Sequence, residues 1–187
     1  MYDKENELQM QYGYSHGIVL VIDPFSIKCV FDEYEDQLSD VDKANISAAD
    51  TTDLLLGFIT KLKAVAQINP AERANVPLAI VINKIDSADL GLRLGARGVL
   101  RYKELNPDST INDLEITNML CRKFFEDYKL NNFLNNIELN FSNYRFFSCS
   151  AMGHEKDAGK YRPSGVMDSI YWIIKQADRK LGSTWKS

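Results

Sequence analysis

Val76-Pro-Leu-Ala-Ile-Val-Ile-Asn-Lys-Ile-Asp86 contains an unbroken apolar run, Leu78 to Ile82, that passes directly into polar residues. A run with no polar alternation, rich in β-branched residues, is what a strand covered on both faces requires. Two other stretches share this form. Gly17-Ile-Val-Leu-Val-Ile-Asp-Pro24 precedes it, and Asn143-Tyr-Arg-Phe-Phe-Ser-Cys-Ser-Ala-Met-Gly153 follows it. The connecting segments are long enough for crossover helices. Together they predict an α/β fold of three layers around a mostly parallel sheet, with a ligand crevice where the strands end.

The residues at those strand ends carry the chemistry. Asn83-Lys84-Ile85-Asp86 is an N-K-x-D box whose side chains fit a guanine ring. The Asp86 carboxylate can accept both the N1 and the exocyclic amino hydrogens, Asn83 can bond the other edge, and the Lys84 stem can cover the ring face. Adenine offers no matching pair of donors. A competing reading takes Asn83 and Asp86 as a polar turn after a core strand. Ser150-Ala151 ends the third run, and there the Ala151 N–H can donate to the guanine O6. The small Ala151 side chain allows close approach, and Gly153 allows a sharp exit.

These motifs resemble the C-terminal, base-binding half of a P-loop GTPase domain of the translation-factor and Ras-like class. The bacterial double-GTPase type is the nearest in flavour, through the Val-Ile-Asp-Pro-Phe strand end, the box at Asn83 to Asp86, and Phe-Phe-Ser-Cys-Ser-Ala before a Gly-Val-Met-x-x-Ile-Tyr-Trp helix. The likeness runs from about Met1 to Leu181. It implies guanine binding by Asn83, Lys84, Asp86, Ser150 and Ala151. One departure is large: the chain has no G-x-x-x-x-G-K-[ST] phosphate loop, and no D-x-x-G precedes the first strand. In that family the phosphate loop, the Mg²⁺-binding Ser/Thr and the water-positioning switch lie upstream of the residues matched here. The resemblance therefore implies a GTPase-like fold lacking its N-terminal half, with no catalytic residue and no cofactor of its own. GTP or GDP with Mg²⁺ would belong to an intact parent domain.

Composition narrows the field. At 187 residues and 45% hydrophobic, residues 1–187 suit a single α/β domain or part of a GTPase domain. The net charge of −4 repels a phosphate backbone on average, so nucleic acid is not an expected partner. Cys29, Cys121 and Cys149 are odd in number and lack C-x-x-C spacing, which points to reduced thiols in or near the core rather than zinc or a disulfide framework. His16 and His154 are far apart and have no ligands at metal spacing. Ser148 and Ser150 sit in no G-x-S-x-G elbow. With no apolar run long enough to span a membrane and no signal-like N-terminus, cytoplasmic residence is the expectation.

Helical patterns fill the gaps. Ser47-Ala-Ala-Asp50 reads as a capping box before Leu54, Leu55, Phe58, Ile59, Leu62 and Val65 on one helical face. Thr110-Ile-Asn-Asp113 reads as a second, leading a helix with Leu114, Leu120, Phe124 and Tyr128. The last helix, Val166 to about Leu181, would bury Val166, Ile170, Ile173, Ile174, Ala177 and Leu181. Glu5 to Tyr14 is compatible with a short helix. Residues 28–50 form an acidic insert, read as solvated surface in preference to a cation or partner site. Residues 87–110 read as an irregular, glycine-rich connector whose Arg93, Arg97 and Arg101 face solvent or an anionic partner. A charged loop is expected from Glu155 to Arg162.

Two functions follow. In one, the chain is the guanine-binding portion of a GTPase-like domain, inactive alone. In the other it is a non-catalytic interaction or scaffold module on a degenerate GTPase fold. That module would bind a protein partner through the acidic insert or the strand Ile18 to Ile22, or bind itself through that strand, whose edge would face the missing phosphate-loop strand.

Overall fold

The computed structural model describes residues 15–44, 46, 50–153 and 162–177, and within them the architecture is α/β. Three parallel strands, β1 (Ile18–Ile22), β2 (Leu78–Ile82) and β3 (Tyr144–Ser148), form a sheet in the order β1-β2-β3. Their register is level: Ile22 pairs with Ile82, and Ile82 with Ser148. All three strands therefore release their chains at one edge.

Every residue of β2 is buried, because the sheet is covered on both sides. Leu78, Ile80 and Ile82 enter the larger core, with Phe124, Phe125, Phe133, Ile137 and Phe146. Ala79 and Val81 face the other way, toward a small cluster of Phe147, Cys149 and Trp172. The larger core is built by α3 (Thr51–Val65), α6 (Asp113–Asp127) and α7 (Asn131–Asn140), together with shorter helices. The smaller is closed by α8 (Val166–Ala177).

Two helices begin on side-chain caps. Asp50 Oδ1 accepts the N–H groups of Thr52 at 2.8 Å and Asp53 at 3.0 Å, and Asn112 Oδ1 accepts that of Glu115 at 2.9 Å. The start of α6 thus lies at Asn112 and not at Thr110, in keeping with the stronger capping tendency of Asn. Ser47 lies outside the described residues, as do Glu5 to Tyr14, His154, Glu155 to Tyr161 of the expected charged loop, and the residues after Ala177 that the last helix was expected to include.

Several sequence expectations need correcting. Residues 87–110 are largely helical, as α4 (Leu90–Leu94) and α5 (Ala96–Leu105). Their glycines serve close packing, since a Cβ on Gly98 would lie 2.1 Å from the Arg93 carbonyl oxygen. Arg93 is engaged within the chain: its guanidinium lies over the Phe124 and Tyr128 rings, 5.3 Å from each centroid, and pairs with Asp127. Arg97 and Arg101 are exposed. The acidic insert folds into α1 (Lys28–Tyr34) and α2 (Asp40–Ala44), joined by a 3-10 turn at Glu35–Gln37. Val30 and Leu38 bury its inner side, and Asp32, Glu33, Glu35, Asp36 and Asp40 are exposed.

The expected helix faces hold at Leu55, Ile59, Leu62 and Phe124, which are buried, but not at every position. Leu54 and Leu114 are exposed, and α8 buries Ser169 and Trp172 while Val166 and Ile170 face outward. Of the three thiols, Cys121 and Cys149 are buried but Cys29 is exposed. No helix among the described residues is long and apolar enough to cross a membrane.

Phe125 is the best single probe of this packing. It is fully buried and stacks on Phe133 with centroids 4.9 Å apart, while touching Phe124 and Phe146 at 5.7 Å. Phe125→Ala is expected to cost about 3–5 kcal/mol in urea-induced unfolding. A loss below about 1 kcal/mol would show that this ring is not central to the core.

Candidate functional site

The edge where the strands end is held by backbone hydrogen bonds that run past the sheet. Asn83 N–H donates to Ile22 O at 2.9 Å, Cys149 N–H to Ile82 O at 2.8 Å, and Ile85 N–H to Cys149 O at 3.3 Å. The segments after β2 and β3 are therefore laced together. The Cys149 thiol adds a side-chain link, donating to Asn83 Oδ1 at 3.3 Å.

The box and the residues directly after it carry backbone strain. Lys84, Ala88 and Asp89 have φ of 55°, 50° and 57°, in the left-handed region that non-glycine residues rarely occupy. Gln67 and Lys129 also have positive φ, but each lies just past a helix C-terminus, where that conformation is routine. The box has no such excuse. Its turn is closed by Ser87 N–H to Lys84 O at 3.0 Å and by the ion pair of Lys84 Nζ with Asp23 Oδ2 at 2.7 Å.

The five predicted residues divide by role. Asn83, Lys84 and Asp86 are part-buried and lie on one turn. The Asp86 carboxylate makes no hydrogen bond or ion pair with another described residue and lies within electrostatic reach of Cys149. Ala151 is exposed, and its N–H has no backbone partner among the described residues.

Ser150 is occupied otherwise. It is buried, exchanges both backbone hydrogen bonds with Ser164 at 2.9 Å, and its Oγ accepts the Gly153 N–H at 2.8 Å. Gly153, at φ 78°, completes that turn in a conformation suited to glycine. Ser150 is thus held in a turn beside Ala151, with one lone pair of its Oγ taken by the Gly153 N–H.

Electrostatics tie the two segments together as well. Burial pushes the Cys149 thiol above its ordinary range, and the Asp86 carboxylate pushes it further in the same direction. Burial raises Cys121 to about 12. Beside these segments lies a groove of about 370 Å³ whose lining includes Ile85, Leu94, Ser148, Ser164 and Gly165. Among the described residues no group of three or more His, Cys, Asp or Glu is placed to hold a metal ion.

Sequence reasoning read Cys149 as a reduced thiol in or near the core, as it is, but gave no site role to it, to Ser164 or to Asp23. For Asp23 a signal existed, since an acidic residue directly after an apolar strand stands level with the box on the next one.

Comparison with known proteins returned no matching family model, no matching curated protein and no matching solved structure.

The closeness of Asp86 to Cys149 can be tested by thiol chemistry. A carboxylate disfavours the nearby thiolate, so Asp86→Asn is expected to lower the Cys149 pKa and speed its alkylation by iodoacetamide at mildly alkaline pH. Cys29, exposed and remote in sequence, should react first in both proteins at an unchanged rate. Peptide mass spectrometry over a time course reads both. A Cys149 rate that does not respond to Asp86→Asn would place the two groups apart.

Proposed function

We propose that this chain is the guanine-recognising portion of a GTPase-like domain, inactive by itself because it has no phosphate-binding loop. The observation that carries the reading is the lacing of the N-K-x-D turn to the Ser-Ala segment. Asn83 bonds Ile22 and Cys149, and Ile85 bonds Cys149, so two loops that would contact opposite parts of one base sit at one edge.

In this reading Asp86 accepts the paired N–H groups of guanine. With its oxygen taken by the Cys149 thiol, the Asn83 amide has its nitrogen to donate to the ring. The Ala151 N–H meets the guanine O6, and the Lys84 stem covers the ring. Ser150 acts indirectly, by fixing the turn that presents Ala151. Mg²⁺, the nucleotide phosphates and hydrolysis belong to a parent domain carrying a phosphate loop, and residence in the cytoplasm is part of the same proposal.

Base recognition and catalysis therefore separate experimentally. Calorimetric titration of residues 1–187 should detect only feeble binding, favouring GTP over ATP, with no hydrolysis. Asp86→Ala should abolish that preference, because a site built to hydrogen-bond one edge loses discrimination with its acceptor. Robust turnover by this chain, or an unchanged preference in Asp86→Ala, would contradict the assignment.

A second reading, the interaction or scaffold module, is favoured by one specific feature. β1 has β2 as its only strand neighbour among the described residues, and its Val19 and Val21 are 41% and 57% exposed. They share the sheet face with Ala79 and Val81, yet α8 covers those two residues and leaves the valines open. An open apolar edge invites strand addition by a protein partner or by a second copy. If it pairs copies, sedimentation velocity should show a concentration-dependent dimer that Val21→Lys weakens. A monomer at all concentrations would count against self-association.

A further inference from the structure

We propose that Asp23 is a positioning residue of the base site, which holds Lys84 in the pose needed to cover a purine ring. The proposal rests on the guanine reading above and adds to it a residue outside the N-K-x-D and Ser-Ala motifs.

Asp23 follows β1 directly, and the level register of β1 and β2 brings it beside the box on the neighbouring strand. Its carboxylate is committed on both oxygens. Oδ1 accepts the Phe25 N–H at 3.0 Å, capping the turn at Pro24–Ser26, and Oδ2 takes the Lys84 ammonium at 2.7 Å. The capped turn is anchored in turn, because Pro24 and Phe25 are buried and Ser26 Oγ donates to Asp23 O at 2.7 Å. Asp23 is therefore a rigid acceptor on a fixed element.

Lys84 is the opposite case. Its backbone sits at φ 55°, a state unfavourable for a non-glycine residue, and its stem has four rotatable bonds to order. The pair is partly shielded, with side chains 30% and 22% exposed, so the contact is neither fully screened nor deeply buried. Tethering the ammonium to Asp23 orders the stem before any ligand arrives. That ordering is pre-organisation, which a flat ring can exploit and an untethered lysine cannot supply.

The test compares dissociation constants for GMP and AMP in the wild-type chain, Asp23→Asn, Asp23→Glu, Lys84→Met and the double variant Asp23→Asn/Lys84→Met. Because Asp86 docks guanine and not adenine in the site, the stem covers the base of GMP and not that of AMP, so the ratio of the two ligands reads the stem's contribution while cancelling that of the phosphate. Asparagine keeps the turn cap, since it ranks with aspartate there, and removes only the charge. Asp23→Asn is expected to reduce the guanine preference about three- to fivefold, the scale of a half-shielded ion pair. Asp23→Glu should restore part of it. In the Lys84→Met background, Asp23→Asn should have no further effect, and high salt should erode the wild-type preference toward the Asp23→Asn value.

A merely structural Asp23 would lower the melting temperature without these ligand-ratio, salt and double-variant signatures. Retention of full preference by Asp23→Asn, or an equal loss without Lys84, overturns the proposal and leaves the guanine reading standing. A wild-type chain with no preference for GMP overturns both. Should Asp23→Asn fail to fold, the salt dependence of the wild type and the Asp23→Glu ratio decide in its place.

Discussion

Burial of β2 on both faces is the constraint from which the remaining structure follows. A central parallel strand has no solvent side, so Leu78, Ile80 and Ile82 must find one apolar layer while Ala79 and Val81 find another. Each large side chain so buried contributes about 1.5–3 kcal/mol, and backbone pairing on both edges comes with it. The two layers are unequal. Aromatic residues from α6, α7 and β3 fill one, whereas Trp172 of α8 closes the other over Ala79, Val81 and Phe147.

The same constraint decides where chemistry can occur. With β1, β2 and β3 parallel and level, their polar exits gather at one edge, and the backbone bonds Asn83 to Ile22 and Cys149 to Ile82 extend the sheet by one step beyond each strand. Past that step the chain must turn sharply. Lys84, Ala88 and Asp89 take left-handed backbone angles there, and the cost is borne by the core beneath them together with the Asp23 contact. A strained polar turn over a rigid sheet is a sound platform for binding, which is why the proposed function is placed at this edge.

Much of this was legible in the residues. All three strands and their parallel arrangement follow from apolar runs bounded by polar exits, and α3, α6 and α8 from helical periodicity. The helix faces were less legible. Leu54, Leu114 and Ile170 continue a helical apolar pattern yet lie outside, because periodicity identifies an amphipathic helix but neighbouring elements set its rotation. The α7 helix went unread among its asparagines, which have poor helix propensity, although Phe133, Ile137 and Phe141 recur at intervals of four and are all buried. Glycines in Gly91 to Gly98 suggested a loose connector, whereas Gly98 permits close approach between two short helices. Within the site, the box and the Ser-Ala pair were visible as motifs. The occupation of Ser150 by Ser164 and Gly153 was not, since it depends on a bridge between residues well separated in sequence.

The central claim, that the turns after β2 and β3 form one guanine-selective crevice, is tested most directly by ¹H–¹⁵N NMR titration of the chain with GMP and, separately, AMP. The account predicts that GMP shifts the amides of Asn83, Lys84, Asp86 and Ala151 together along one saturation curve, while AMP at equal concentration leaves them nearly unmoved. Equal shifts with both nucleotides, or GMP shifts confined to residues away from these two turns, would contradict it.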